Sequence, residues 1–165
     1  MSHLLRDWEP IAVAGGGVML LAIAGGLLTE IGPWYLAMRK PSWKPPDWMF
    51  GPVWTLIFVL EATSAVIGWD RAKTGEAGAA LIAAYVANGL LNILWSLLFF
   101  KMHRPDLALR EVGFLCLSVV VMMIVLANIA GAVWLLLVPY LLWGTFASYL
   151  NYTIVRLNGP FRVAA

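Results

Sequence analysis

Five long apolar stretches, parted by short polar ones, decide what this chain can fold into. They cover about residues 11–28, 52–69, 77–100, 105–127 and 132–157. A helix needs about 20 apolar residues to cross a bilayer, and only helices or closed barrels satisfy their backbone there. No stretch alternates apolar and polar residues, so the barrel drops out. Charge agrees. Of 165 residues 12% are charged and 62% hydrophobic, with a mean hydropathy of +0.83, whereas soluble domains carry about 25% charge. The expectation is an all-α integral membrane protein, a five-transmembrane-helix bundle, forming one domain over residues 1–165. The net charge of +2 is small and scattered, which excludes a nucleic-acid binder. Cys116, the single cysteine, allows no intrachain disulfide and reads as a buried, inert thiol.

Turn chemistry sets the helix ends. Residues 1–10 are short and polar. Ala22-Ile23-Ala24 resembles a signal cleavage site, but Asp7 and Glu9 spoil the positive leader that Arg6 would supply, so residues 11–28 read as a helix. Gly15, Gly16, Gly17, Gly25 and Gly26 are expected to let it approach a neighbour closely. Pro52 suits a first helical turn. Residues 70–76 and 101–106 are polar loops, and Pro105 opens the fourth helix. Asn128-Ile129-Ala130-Gly131 reads as a tight turn, Pro139 as a kink within the fifth helix, and Asn158-Gly159-Pro160 as its stop.

Between the first two helices, about residues 29–51 and the turn that follows, the composition changes. Trp34, Tyr35, Trp43, Trp48 and Trp54 mix with Pro33, Pro41, Pro45, Pro46 and Pro52 and with Arg39, Lys40 and Lys44. Proline fixes φ and removes a donor, so the segment is neither regular helix nor central strand. It reads as an ordered, proline-stiffened loop. Amphipathic rings suit a membrane–water boundary. One role is to anchor the helices there, but the rings exceed what an anchor needs, and a lid over a binding pocket is favoured. Five spans would put Arg6, Arg71 and Lys73 on one side. The other would hold Arg39, Lys40, Lys44, Lys101, Arg104, Arg110, Arg156 and Arg162. This excess places the lid loop and the C-terminus in the cytoplasm. A short N-terminus without an Arg/Ser-rich leader favours a bacterial cell membrane.

Polar residues inside the spans mark the candidate site. Asn88, Asn92 and Trp95 share one face of the third helix. Tyr140, Trp143, Ala147 and Leu150 form a stripe on the fifth, with Phe146 on its edge. Intramembrane amides face the bundle interior, either as glue between helices or as pocket walls. With the tryptophans they suit a flat, mostly apolar ligand with polar edges. Glu61 sits mid-helix, where a carboxyl is costly. It is either packed and neutral or functional, and Glu61→Gln is expected to alter the pH dependence of ligand affinity. Ala79, Ala83 and Ala87 make a small-residue stripe for internal packing or, preferably, a homodimer seam. Leu150, Tyr152 and Arg156 fit a weak sterol-binding pattern and are equally ordinary interface anchors.

The sequence offers little catalytic or metal-binding chemistry. His3 and His103 lack metal-ligand spacing, Ser42 lacks a nucleophile elbow, and Gly15-Gly16-Gly17 follows no strand, so it is no phosphate loop. Neither a metal nor a cofactor is expected.

The chain resembles the translocator protein family, also known as tryptophan-rich sensory proteins (TspO) or peripheral benzodiazepine receptors. The resemblance rests on Trp34-Tyr35, Lys40-Pro41-Ser42-Trp43 with Pro45-Pro46, and Pro52-Val53-Trp54-Thr55. It continues through Leu91-Asn92 with Trp95 and Phe99-Phe100, His103-Arg104-Pro105, and Val138-Pro139-Tyr140 with Trp143, Phe146-Ala147 and Leu150-Asn151. These run in the family's order over nearly the whole chain. The resemblance implies a five-helix bundle, often homodimeric, with the first loop as lid. It implies binding of porphyrins and haem-like tetrapyrroles, and in some members of sterols and benzodiazepine- or isoquinoline-type compounds. Tyr35, Trp54, Asn92, Trp95, Trp143, Phe146, Ala147 and Leu150 would line the pocket. Trp54 and Trp143 match aromatic positions implicated in light-dependent porphyrin degradation by some bacterial members. Two positions depart from the pattern: Asn88 stands where a Gln is expected, and Glu61 where an apolar residue such as Met is. The leading expectation is a tetrapyrrole receptor or carrier, and the alternative is a photo-oxidative enzyme.

Overall fold

The computed structural model describes residues 8–72 and 75–161. His3, Arg6, Asp7, Lys73 and Arg162, named above, lie outside the described residues. Among those residues there are five long helices and no strand. Helix α1 spans Glu9–Leu28, with Pro10 in its first turn. Thr29 closes it, its N–H and its hydroxyl both donating to the carbonyl of Gly25 at 2.8 and 2.7 Å.

The following loop is not wholly irregular. Pro33–Ala37 forms a short helix, α2, because Pro33 falls in the first turn, where its missing N–H costs nothing. A 3-10 turn at Asp47–Met49 then leads into α3, Phe50–Ala72, two residues earlier than Pro52 suggests. Gly75, with φ +89°, precedes α4, Glu76–Ser96. Residues Leu97–Lys101 continue α4 as a π-helical turn, which ends where the Met102 N–H reaches back to the Leu97 carbonyl at 2.9 Å. His103 adopts φ +53° and redirects the chain into α5, Pro105–Ala130.

Asn128-Ile129-Ala130 belongs to α5 and not to a turn. The Asn128 amide donates to the carbonyl of Ile124 at 2.8 Å and stays within the helix. The reversal comes at Gly131, φ +60°, a backbone conformation that glycine adopts without strain. A 3-10 helix, Gly131–Leu137, then precedes α6, Val138–Asn158. Pro139 therefore kinks nothing. It lies in the first turn of α6, where a proline breaks no hydrogen bond.

Helices α4, α5 and α6 pack successively, and α3 packs against α1, α4, α5 and the 3-10 segment that precedes α6. One core gathers Ile57, Leu81, Val119, Met122, Leu126, Leu137 and Tyr140. A second lies beneath the loop and gathers Tyr35, Phe99, Ala108, Leu150 and Ile154. Apolar side chains also cover the outside, among them Val13, Leu20, Leu90, Phe114 and Leu142, as lipid-facing helices require. Among the described residues, four continuous stretches are long and apolar enough to cross a membrane. The fourth, Pro105–Asn158, is 54 residues long and contains both α5 and α6.

The glycines of α1 do not serve close packing. A Cβ on Gly15, Gly16, Gly17, Gly25 or Gly26 would meet nothing within 4 Å. The tight approach between α1 and α4 uses a glycine of the other helix, where a Cβ on Gly89 would lie 3.1 Å from Leu21. Gly68 of α3 is tighter still, with Leu126 at 2.8 Å and Leu81 at 3.2 Å.

Candidate functional site

A cavity of about 380 Å³ opens between α1, α3, α4 and α6 beneath the loop, within the size range of small-molecule sites. Its aromatic walls are Trp54 and Phe58 from α3, Trp95 from α4, and Tyr140 and Trp143 from α6. Tyr35, Asp47 and Phe50 cover the loop side. Ala22, Gly25 and Gly26 form the α1 wall and leave it open because they carry little or no side chain. Phe50 meets Trp143 edge-on, with centroids 5.4 Å apart, and Trp54 meets Tyr140 at 5.8 Å. The indole N–H of Trp143 is buried without a partner among the described residues.

Behind this wall lies a polar layer. Asn92 donates to the hydroxyl of Tyr140 at 3.1 Å, Tyr140 donates to Asn88 at 3.1 Å, and Asn88 donates to Ser118 at 2.9 Å. Buried amides need such partners, and these join α4, α5 and α6. Glu61 is 2% exposed and its Oε2 has no partner among the described residues. It neighbours a second polar pair, the hydroxyls of Ser64 and Tyr85, 2.6 Å apart. Both carboxyl oxygens of Glu111 are likewise buried and unpaired there.

The loop is held by charge, stacking and one amide. Asp47 accepts from the Tyr35 hydroxyl at 3.0 Å and pairs with Lys44 at 2.5 Å. Burial, reinforced by the Asp47 carboxylate, raises the Tyr35 phenol above its ordinary pKa. Lys40 bonds the carbonyls of Tyr35 and Met38. Burial and nearby Lys44 pull its ammonium below the usual range. Trp43 stacks on Tyr149 of α6 at 5.2 Å, and Trp34 stacks on His103 at 4.2 Å. Asn158, at the end of α6, clamps the backbone of Arg39. Its Oδ1 accepts from the Arg39 N–H at 2.7 Å and its Nδ2 donates to the Arg39 carbonyl at 2.8 Å.

The structure brings Tyr35, Trp54, Asn92, Trp95, Trp143 and Ala147 to the cavity wall. Asn88 lies one layer deeper, because Tyr140 and Ser118 occupy both ends of its amide. Phe146 backs Trp143, with centroids 5.3 Å apart. Leu150 lines a separate void of about 50 Å³ under Tyr35. Leu150 is buried while Tyr152 and Arg156 are exposed and contact each other, so the sterol-pattern residues do not form one surface. Ala79, Ala83 and Ala87 face outward, away from the bundle, which removes the internal-packing reading of that stripe. No group of three metal-ligating side chains occurs among the described residues. Sequence reasoning missed Gly25 and Gly26 as cavity wall, Ser118 as the end of the polar layer, and Asn158 as a clamp. Nothing but a helix-stop pattern signalled the last.

The TspO/MBR family model matches residues 13–157. The chain belongs to the TspO/MBR family. It is 38% identical over 154 residues to the tryptophan-rich protein TspO of Chlorobaculum tepidum, covering 90% of this chain and 95% of that one. It is 34% identical over 143 residues to the tryptophan-rich protein TspO of Archaeoglobus fulgidus, covering 86% and 92%. The translocator protein of Homo sapiens is 28% identical over 130 residues, covering 78% and 77%. Family membership and the long apolar helices together make this TspO/MBR protein an integral membrane protein.

Proposed function

We propose that this TspO/MBR member is a membrane receptor or carrier that binds porphyrins, haem-type tetrapyrroles and sterols in the cavity beneath the loop. One observation carries the reading. Three indole rings, from Trp54, Trp95 and Trp143, and the paired polar groups of Asn92 and Tyr140 converge on one 380 Å³ space. Indole faces hold a flat apolar body, and the polar groups orient its edge. Five spans, with α5 and α6 crossing separately, put the loop and the C-terminus on the cation-rich side, the cytoplasmic one in a bacterial cell membrane. The exposure of Ala79, Ala83 and Ala87 supports a homodimer seam on α4.

Quenching of tryptophan fluorescence by protoporphyrin in the dark tests the reading. Saturable quenching at micromolar ligand, weakened in Trp143→Ala, is expected. Linear quenching equal in both proteins means that the ligand only partitions into the micelle, and the reading fails. Trp54 and Trp143 line the same cavity, which favours a second reading, light-dependent porphyrin degradation. Spectral conversion of bound porphyrin under illumination, lost in Trp54→Phe and Trp143→Phe, would establish it; an unchanged spectrum would leave binding alone.

A further inference from the structure

Aromatic rings run without a break from the cavity wall to the outside of the bundle. Trp143, in the wall, packs on Phe146 with centroids 5.3 Å apart. Phe146 meets Trp43 of the loop edge-on at 5.9 Å, and Trp43 stacks on Tyr149 of α6 at 5.2 Å. Tyr149 is 60% exposed. Indoles give up an electron readily. A phenyl ring does not, so Phe146 bridges the two indoles and holds no charge. A phenol gives one up when its proton leaves in the same event, which an exposed hydroxyl allows.

The phenols at the cavity lack that outlet. The Tyr140 hydroxyl is buried between the amides of Asn88 and Asn92, and neither amide is a base. The Tyr35 hydroxyl faces Asp47, but Lys44 pairs with that carboxylate at 2.5 Å and holds it below its usual range, which makes it a weak base. Lys40 also lies over the Tyr35 ring, 4.2 Å from its centroid, and a cation there opposes the removal of an electron. A second series, Trp95, Phe99 and Trp34, ends stacked on His103, whose imidazole is harder to oxidise than an indole.

We propose that Trp143, Trp43 and Tyr149 form an electron relay that re-reduces a light-oxidised tetrapyrrole in the cavity and leaves the oxidation on an exposed phenol. The relay rests on the porphyrin-binding reading. A photoexcited tetrapyrrole is a reductant and passes one electron to dioxygen, forming superoxide. Trp143 returns an electron to the ligand, Trp43 to Trp143, and Tyr149 to Trp43. The Tyr149 phenol releases its proton to water. In sum, one phenol and one dioxygen become one phenoxyl radical, one proton and one superoxide, with the ligand and both indoles restored. The relay thus protects bound ligand and Trp143 from light-driven oxidation.

Electron paramagnetic resonance reads where the oxidation comes to rest. Protoporphyrin-loaded protein in nanodiscs is illuminated with hexaammineruthenium(III) in place of dioxygen as the electron acceptor, which avoids singlet oxygen, and is then frozen. The wild-type protein is expected to give a phenoxyl signal, narrowed when the tyrosine rings are deuterated. Tyr149→Phe is expected to lose it and to give an indole radical instead, with saturable quenching in the dark retained. Trp43→Phe, which keeps a ring in the stack, is expected to lose the phenoxyl signal as well, and Trp34→Phe to keep it. A phenoxyl signal that survives Tyr149→Phe overturns Tyr149 as the terminus. One that survives Trp43→Phe, or is lost in Trp34→Phe, overturns the route. Oxidised porphyrin without any protein radical, while quenching still saturates, overturns the relay and leaves binding standing. Quenching that fails to saturate overturns the porphyrin reading and the relay with it.

Discussion

Replacing Asn158 by alanine should open the loop without disturbing the helices. The Asn158 amide supplies both hydrogen bonds that hold the Arg39 backbone, at 2.7 and 2.8 Å. Each such bond is worth about 0.5–1.5 kcal/mol, and because this pair is partly solvated the lower end applies, about 1–2 kcal/mol together. That corresponds to a roughly 5- to 30-fold larger population of the detached loop. Trypsin reads this population at one bond. Lys40 and Lys44 are each followed by proline, which protects those bonds, so cleavage within the loop is confined to Arg39–Lys40. When reclosing outpaces cleavage, the rate follows the open population. Cleavage at Arg39 is therefore expected to rise by the same roughly 5- to 30-fold factor in Asn158→Ala. Cleavage at exposed Arg110 and the unfolding temperature should change little. The stack of Trp43 on Tyr149 remains, so Tyr149→Ala in addition should raise the rate again. Equal cleavage rates in wild type and Asn158→Ala would show that the clamp does not hold the loop.

Other substitutions separate packing from binding. Gly68→Ala forces a methyl against Leu126 and Leu81 and should cost about 1–3 kcal/mol. Gly16→Ala meets nothing and should be neutral or stabilise by up to about 1 kcal/mol; thermal unfolding in detergent compares the two. Tyr140→Phe strips partners from Asn88 and Asn92 and should lower stability by about 1–3 kcal/mol in the same assay. Gly26→Leu projects a side chain into the cavity from a helix with free space around it. It should weaken protoporphyrin binding about tenfold or more while leaving the unfolding temperature unchanged; unaltered quenching would place the ligand elsewhere. Glu61→Leu removes a buried carboxyl with an unpaired oxygen and should be within about 1 kcal/mol of wild type or more stable.

Much of this protein is written locally. Runs of about 20 apolar residues become helices because each backbone group in lipid must pair within its own segment. Proline and glycine mark most of the ends. The aromatic loop, the inward face of Trp54, Asn92 and Trp143, and the outlying carboxyl at Glu61 are legible for the same reason, since periodicity places residues on a face without knowing the neighbours. Neighbours decided the rest. Asn88 and Asn92 lie one turn apart and look alike in sequence, yet Ser118 and Tyr140 close around the first and leave the second at the cavity wall. Five glycines in α1 suggest a tight seam. The partner helix supplies that seam at Gly89, and Gly25 and Gly26 instead keep a cavity open. Leu150 and Tyr152, two residues apart, point to opposite environments. Arg39 and Asn158 meet across 119 residues of chain. Which side chain fills the space beside a given face depends on how separate helices pack, and that contact has no counterpart in the spacing of residues along any one of them.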